Sequence, residues 1–318
     1  MAAIYLREAD VARLLSMEEV ISALERIFRE QAAGGAENIP RGRCRGEGAM
    51  LHLLGGASRE LDALCFKAYT TTKTSARFLV HLYDGSSGDL LAVVEADQLG
   101  RLRTGGTSGL ATKLMSPTNA SRVGIIGSGR QARTQLEAVA AVRKLESVEI
   151  HSRTKESREK FAAEMEERLH VPVRPVESAT LAVRDKEIVI TATSSRQPVV
   201  EKAWLSPGVH LNAMGSNFAA KTELDLAIVG ACRQVVVDDV AQAQIEAGEL
   251  IQAVAAERFS WTRAVELSSL VSGEVDGRSD PGETTLFKSV GTGIQDLALA
   301  SMVYKLAKSE GVGQPLPY

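Results

Sequence analysis

The stretch Arg122-Val-Gly-Ile-Ile-Gly-Ser-Gly-Arg-Gln-Ala132 constrains the fold of this chain more than any other. Val123 to Ile126 is an apolar run that reads as a short buried strand. It stops at Gly127-Ser128-Gly129-Arg130-Gln131-Ala132, and a helical pattern follows at once. Glycines are common in turns, so the two glycines alone say little. Placed between a buried strand and a helix, Gly-x-Gly-x-x-Ala is the arrangement that cradles the pyrophosphate of a dinucleotide. Gly127 permits the tight turn, Gly129 lets a pyrophosphate approach the backbone, and Ala132 lets helix and strand pack closely. The N–H groups at the helix start then face the phosphates. All six residues are candidates for cofactor binding.

The surrounding pattern sets the fold class. Ser16-Met-Glu-Glu19 reads as a capping box, and Val20, Ile21, Leu24, Ile27 and Phe28 share one helical face that Gly34 and Gly35 end. Leu64 to Tyr69, Phe78 to Tyr83 and Leu90 to Val94 have strand character, with Asp84-Gly-Ser-Ser-Gly88 as a hairpin turn between the last two. Asp97 to Met115 is helical. Beyond the glycine turn, helix Gln131 to Leu145, strand Val148 to His151, helix Lys155 to Leu169 and strand Val171 to Val176 alternate. Strands Ile188 to Ala192, Val209 to Ala213 and Gln234 to Val237 follow. Such alternation makes a parallel sheet covered on both faces. Ile294 to Lys308 reads as an amphipathic helix. The expected class is α/β: a Rossmann-type parallel-sheet domain over 118–292, and an α+β domain over 1–117 completed by the C-terminal helix within 293–318.

The second strand of the nucleotide unit indicates the coenzyme. NAD-binding folds place Asp or Glu at its end to hold the ribose 2′-OH. Here that place reads Ile150-His151-Ser152-Arg153-Thr154, with no carboxylate. Arg153 and Thr154 suit a 2′-phosphate, Ser152 adds a hydroxyl, and Arg130 is a second cation. NADP(H) is favoured and NAD(H) stays open. Thr193, Ser194 and Ser195 follow the Ile188 to Ala192 strand, where Thr193 can meet the nicotinamide ribose.

Composition excludes several classes. A formal net charge of −3 gives no case for nucleic acid. No apolar run approaches the ~20 residues that span a bilayer. The first ten residues lack the basic start and apolar stretch of a signal peptide. Cys44, Cys65 and Cys232 are odd in number and widely spaced, so they form neither a disulfide framework nor a metal site. A reducing cytoplasm is the natural setting.

Basic residues gather before the glycine turn. Pro40-Arg41-Gly-Arg43-Cys-Arg45 carries three arginines, Lys67 interrupts an apolar strand, and Arg101 and Arg103 precede Thr104-Gly105-Gly106. A small acid needs its carboxylate gripped, which Arg does with a planar fork and Lys with a point charge. A lysine in such a strand more often marks an edge or snorkelling position. His52 and His81 are acid–base candidates by residue type, but their setting suits half-buried structural rings. Glu95-Ala-Asp97 reads as a cap for the helix that follows, with Asp97 near the cap.

Together these residues resemble the ornithine cyclodeaminase/μ-crystallin family. The resemblance spans nearly the whole chain. It rests on Pro40-Arg41, Lys67, Leu102-Arg103-Thr104-Gly105, the turn from Gly127, Ser152-Arg153-Thr154, Asn212-Ala-Met214-Gly215, Val237-Asp238 and Phe287-Lys288-Ser289. It implies a homodimer with a substrate and dimerisation domain, and a substrate carboxylate held by Arg41, Lys67 and Arg103. Arg43 is a substitute for Arg41. It also brings Met214, Lys288 and Ser289 to the cofactor side.

One departure matters. The cyclodeaminases and related alanine dehydrogenases carry Asp shortly after Asn-Ala-x-Gly, whereas the matching position here is Asn217. An amide takes up no proton at neutral pH, but it orients an imine or a water. The expected activity is therefore NAD(P)H-dependent reduction of a small 2-imino acid, with Lys67 and Asn217 as the catalytic candidates. Three readings stay open beside it: an ornithine cyclodeaminase-type lyase, an alanine or other amino-acid dehydrogenase, and a crystallin-like NADPH- or ligand-binding protein.

Overall fold

The computed structural model describes residues 2–317, so Met1 and Tyr318, the outer bounds of the expected first domain, lie outside the described residues. In chain order the elements are β1 (Ile4–Leu6), α1 (Glu8–Leu14), α2 (Met17–Ala32), β2 (Ala36–Arg45), β3 (Met50–Ser58), β4 (Ala63–Thr71), β5 (Ala76–Asp84), β6 (Leu90–Glu95) and α3 (Asp97–Met115). There follow β7 (Arg122–Ile126), α4 (Arg130–Val142), β8 (Ser147–His151), α5 (Lys155–Leu169), β9 (Val173–Pro175), α6 (Ala179–Val183), β10 (Ile188–Thr191) and β11 (His210–Ala213). The remainder is α7 (Leu226–Ala231), β12 (Gln234–Val237), α8 (Val240–Glu246), α9 (Gly248–Ala255), β13 (Ala264–Glu266), α10 (Leu267–Ser272), β14 (Thr285–Lys288), α11 (Gly293–Glu310) and β15 (Gln314–Pro315).

The chain forms two compact units, one from the segments before Thr107 and after Val290, the other from Thr107–Val290. The division falls inside α3, not after it as the sequence suggests. Gly106 packs against Val20 and Leu24 of α2, whereas Thr112, later in the same helix, accepts a 2.8 Å hydrogen bond from Asn212.

The first unit is built on a seven-stranded sheet in the order β15–β1–β6–β5–β4–β3–β2. Only β1 and β6 pair in parallel. Alternation along β4 buries Cys65, Lys67 and Tyr69 and turns Leu64 and Phe66 outward. α11 packs across β3 and β4. Ser16 caps α2 reciprocally with Glu19, as its sequence suggests. The cap of α3 departs from the expectation. Glu8, not Asp97, accepts the Asp97 and Gln98 N–H groups, both at 2.7 Å, and Glu95 in turn accepts from Tyr5 and the Glu8 N–H.

The second unit is an all-parallel eight-stranded sheet in the order β13–β12–β14–β11–β10–β7–β8–β9. The inner strands β7, β10, β11, β12 and β14 are buried on both faces, which explains the apolar runs of β7, β10 and β12. Val123 and Ile125 of β7, with Ile188 and Ile190 of β10, enter one core beside Phe161. Ile126 and Val189 enter the other. The chain runs from β7 out through β8 to β9, then returns to β10 on the opposite side of β7. That reversal is the topological switch point at which such sheets bind ligands, outside the strands' carboxyl ends.

Candidate active site

The first unit gathers the cations on one buried carboxylate. Between Ile39 and Gly42 the pairing of β2 with β3 shifts by one residue. This bulge changes the parity of the strand, so Arg41 is buried although Ile39, two residues earlier, is 66% exposed. Pro40 is tolerated because β2 is an edge strand. Lys67 Nζ donates to Asp296 Oδ1 of α11 at 2.8 Å, and Arg103 Nε lies 3.4 Å from the same oxygen. Arg103 Nη1 also donates to Gln295 Oε1 at 3.0 Å. Arg41 Nη2 donates to the Gly291 carbonyl at 3.1 Å. Gly291 has φ +77°, and a side chain there would run into the Arg103 guanidinium. Glycine at this position thus holds both arginines.

Burial alone would raise the Asp296 carboxyl. Lys67, Arg103 and then Arg41 outweigh it and hold the carboxyl below the usual carboxylate range. Burial lowers the Lys67 ammonium from its ordinary value, and Asp296 opposes that shift. Asp296 is the one hydrogen-bond acceptor that Lys67 meets among the described residues, so two of its three N–H groups remain for a ligand. Asp296 was invisible in the sequence because it looks like one more residue of the α11 pattern.

Arg43 has a different place. Its Nε donates to His52 Nδ1 at 3.2 Å, and His52 stacks on Tyr69 with centroids 4.2 Å apart. Burial, then Arg43 and Arg41, lower the His52 pKa to about 4, so the ring is neutral at physiological pH. His81 stacks on Phe66, and burial lowers its pKa too.

The second unit carries the cofactor candidates. Gly127 has φ +109°, and a Cβ there would strike the Ala192 carbonyl of the segment after β10. Gly129 is different: its φ of −74° suits any residue, and a Cβ there would meet nothing within 4 Å. Neither backbone nor packing demands glycine at 129, but a phosphate seated against the backbone does. Gly129 is the N-cap of α4, and no side chain caps that turn. Ala132 is fully buried under the strand. These features fit a dinucleotide pyrophosphate. Arg133, which the sequence reading passed over, stiffens the turn. Its Nη1 donates to the Ser128 and Gly129 carbonyls at 2.9 and 3.0 Å, while Nε and Nη2 grip Glu164 at 2.8 and 2.7 Å. Arg130 and Gln131 form the first turn of α4.

Ser152, Arg153 and Thr154 follow β8, with Arg153 exposed and Thr154 the N-cap of α5. Thr193 follows β10, Met214 and Asn217 follow β11, and Asn217 is half-buried. Lys288 ends β14 and Ser289 follows it, both with buried side chains. Lys288 Nζ donates to the Ser216 carbonyl at 2.7 Å and pairs with Glu249 at 3.1 Å, and Ser289 Oγ donates to Asp238 at 2.9 Å. Through these bonds both side chains brace segments at the strands' carboxyl ends.

Residues 2–311 match the model of the ornithine cyclodeaminase/mu-crystallin family. The chain belongs to that family. It is 32% identical to alanine dehydrogenase of Archaeoglobus fulgidus, over 100% of this chain and 99% of that one. It is 33% identical to a Bacillus cereus Delta(1)-pyrroline-2-carboxylate reductase, over 96% and 97% of the two chains. The solved Delta(1)-pyrroline-2-carboxylate reductase of Thermococcus litoralis, in complex with NADH and L-proline, superposes with a TM-score of 0.94 at 32% identity, covering 98% of this chain and 100% of that one.

Proposed function

We propose that this protein is a nicotinamide-dependent reductase of small 2-imino acids, with the C=N bond beside the carboxylate. The observation that supports this most directly is the buried Lys67, held on Asp296 with two N–H donors to spare and with Arg103 on the same carboxylate. Such a group suits a ligand carboxylate, which Arg41 and Arg103 grip alongside it. The Gly127 to Ala132 turn would hold the reduced coenzyme, whose chemistry would be hydride donation. Fixing the acid end orients the imine carbon, and positioning is the protein's main contribution. Anchoring the carboxylate is the first role of Lys67; the proton for the imine nitrogen comes either from its Nζ, whose proton burial loosens, or from a water held by Asn217. Asn217 orients a water or an N–H group, and an amide there favours reduction over cyclodeamination.

The test is a screen of NADPH and NADH consumption with Δ1-pyrroline-2-carboxylate and with 2-oxo acids plus ammonia or methylamine. Stoichiometric loss of reduced coenzyme is expected. Ammonia release from ornithine with no net change in nicotinamide absorbance would overturn the reading.

NADP(H) is the coenzyme of this proposal, supported by exposed Arg153 and the absence of a carboxylate at the end of β8. Arg153→Asp should move the preference towards NADH by ~10-fold or more, because it replaces a phosphate partner with a repelling charge. Equal use of both coenzymes by the wild type would refute the assignment.

A second copy of the chain is the proposed partner. The outer face of the first unit's sheet exposes Ile39 by 66%, Leu53 by 41%, Leu64 by 42% and Phe66 by 36%. Ile39, Gly55 and Phe66 stand in one cross-strand row of this face. An apolar patch of this kind marks an interface, and the archaeal alanine dehydrogenase, 31% identical with a TM-score of 0.94, is a dimer. Light scattering should give twice the 34.0 kDa chain mass. The double substitution Leu53→Arg, Phe66→Arg should give the monomer. Three free cysteines, two of them buried, support a reducing compartment such as the cytoplasm. Among the described residues no helix is long and apolar enough to cross a membrane.

A further inference from the structure

The nucleotide-binding unit contains an ionic network that the proposed chemistry does not use. Glu223, Glu249 and Lys288 are each fully buried. Glu223 Oε1 accepts the Thr193 N–H at 2.6 Å, and Oε2 accepts the Gly215 N–H at 2.7 Å and the Thr191 hydroxyl at 3.0 Å. One carboxylate thereby ties the segment after β10 to the segment after β11. The Glu223 N–H donates to Glu249 Oε1 at 2.8 Å, and Glu249 carries Lys288. Lys288 Nζ also donates to the Ser216 carbonyl, which draws the end of β14 into the same tie. The fit is close: a side chain at position 215 would strike both Thr193 and Glu223.

Burial raises the Glu223 carboxyl, Lys288 opposes it, and Glu249 adds to it. A buried carboxylate is expensive to keep. Its three donors and the nearby cation offset that cost, yet every group it holds lies at the last residue of β10 or in the segments after β10 and β11. None of them belongs to the glycine turn.

We propose that Glu223, backed by Glu249 and Lys288, is a positioning residue for the nicotinamide half of the coenzyme. It sets the height of Thr193 and Met214–Gly215, leaving the adenosine diphosphate half to the Gly127 to Ala132 turn and the end of β8. This rests on the dinucleotide reading of the unit.

The test separates the two halves of the ligand. Glu223→Gln keeps shape and volume but turns one acceptor into a donor. Whichever way the amide lies, its NH2 faces either the Thr193 or the Gly215 N–H, and one backbone donor is stranded. Fluorescence and calorimetric titrations are run on wild type and variant with the preferred reduced coenzyme, and separately with ADP or its 2′-phosphorylated form. The variant should bind the whole coenzyme about tenfold or more weakly, as expected for a stranded buried donor. Its affinity for the ADP half should stay within about twofold, because the glycine turn is untouched. Glu223→Asp retains the charge but is too short to span both loops. It should give the same selective loss and covers the case in which Glu223→Gln does not fold. Equal loss for both ligands, or none for either, would overturn the proposal. A wild type that binds neither ligand would overturn the dinucleotide reading itself, which is a different result.

Discussion

Arg103→Ala should lower kcat/KM by ~10²-fold or more, chiefly through KM, because it removes a charge-assisted clamp from the substrate carboxylate. Arg103 is only 8% exposed and lies 3.4 Å from Asp296. Each hydrogen bond from a charged donor contributes roughly 1.5–3 kcal/mol, and every 1.4 kcal/mol is about tenfold. A two-pronged grip thus accounts for the expected loss, and a single surface ion pair, worth ~0–1 kcal/mol, does not. The truncation also leaves Asp296 with one cation fewer, so coenzyme titration of the variant is the control for folding. Steady-state kinetics with the best imine from the screen supply the measurement. An unchanged kcat/KM together with intact coenzyme binding would remove Arg103 from the site.

The two glycines of the turn should fail in different ways. Gly127→Ala forces a side chain onto a φ of +109° and into the Ala192 carbonyl. Such backbone strain costs of order 1–3 kcal/mol and the clash adds to it. For a unit of this size, about 3 kcal/mol lowers the melting temperature by roughly 6–12 °C. Coenzyme binding should be lost with it, because β7 and β10 meet at the switch point. Gly129→Ala meets no protein atom within 4 Å and keeps an ordinary φ. It should leave the melting temperature within about 2 °C, since surface substitutions usually stay within ±0.5 kcal/mol, and still weaken coenzyme binding tenfold or more by standing where the phosphate approaches. Calorimetry and coenzyme titration distinguish the pair. A Gly129→Ala protein that binds normally would show that nothing is seated at that point.

Much of this architecture was legible in the residues. The α2 capping box, the β7 to α4 turn and the alternation that follows depend on neighbours within a few positions, and local chemistry specifies them. The family resemblance holds over residues 2–311. β2 and β3 were harder. Pro40 and three arginines make β2 look like a loop, and its bulge breaks the alternation a reader would follow. The α3 cap was missed because its partner, Glu8, lies far back in the chain.

The candidate site divides along the same line. Arg41, Lys67 and Arg103 stand out as residue types, since cations in apolar company are conspicuous. Asp296 and Glu223 do not, because an acid on a helix or in a loop reads as solvated surface until something packs over it. Their partners lie far away in sequence: Lys67 is 229 residues from Asp296, and Thr193 is 30 from Glu223.

The parallel-sheet unit, its glycine turn and the cations available to an acid can all be read from the order of residues alone. Hydrophobic period and glycine geometry act over a few residues and need no knowledge of what lies opposite. Which carboxylates those cations meet, and which loops are tied together, is set by the folded chain. A buried charge is defined by its distant neighbours and its exclusion from water, and neither exists until the chain has closed on itself.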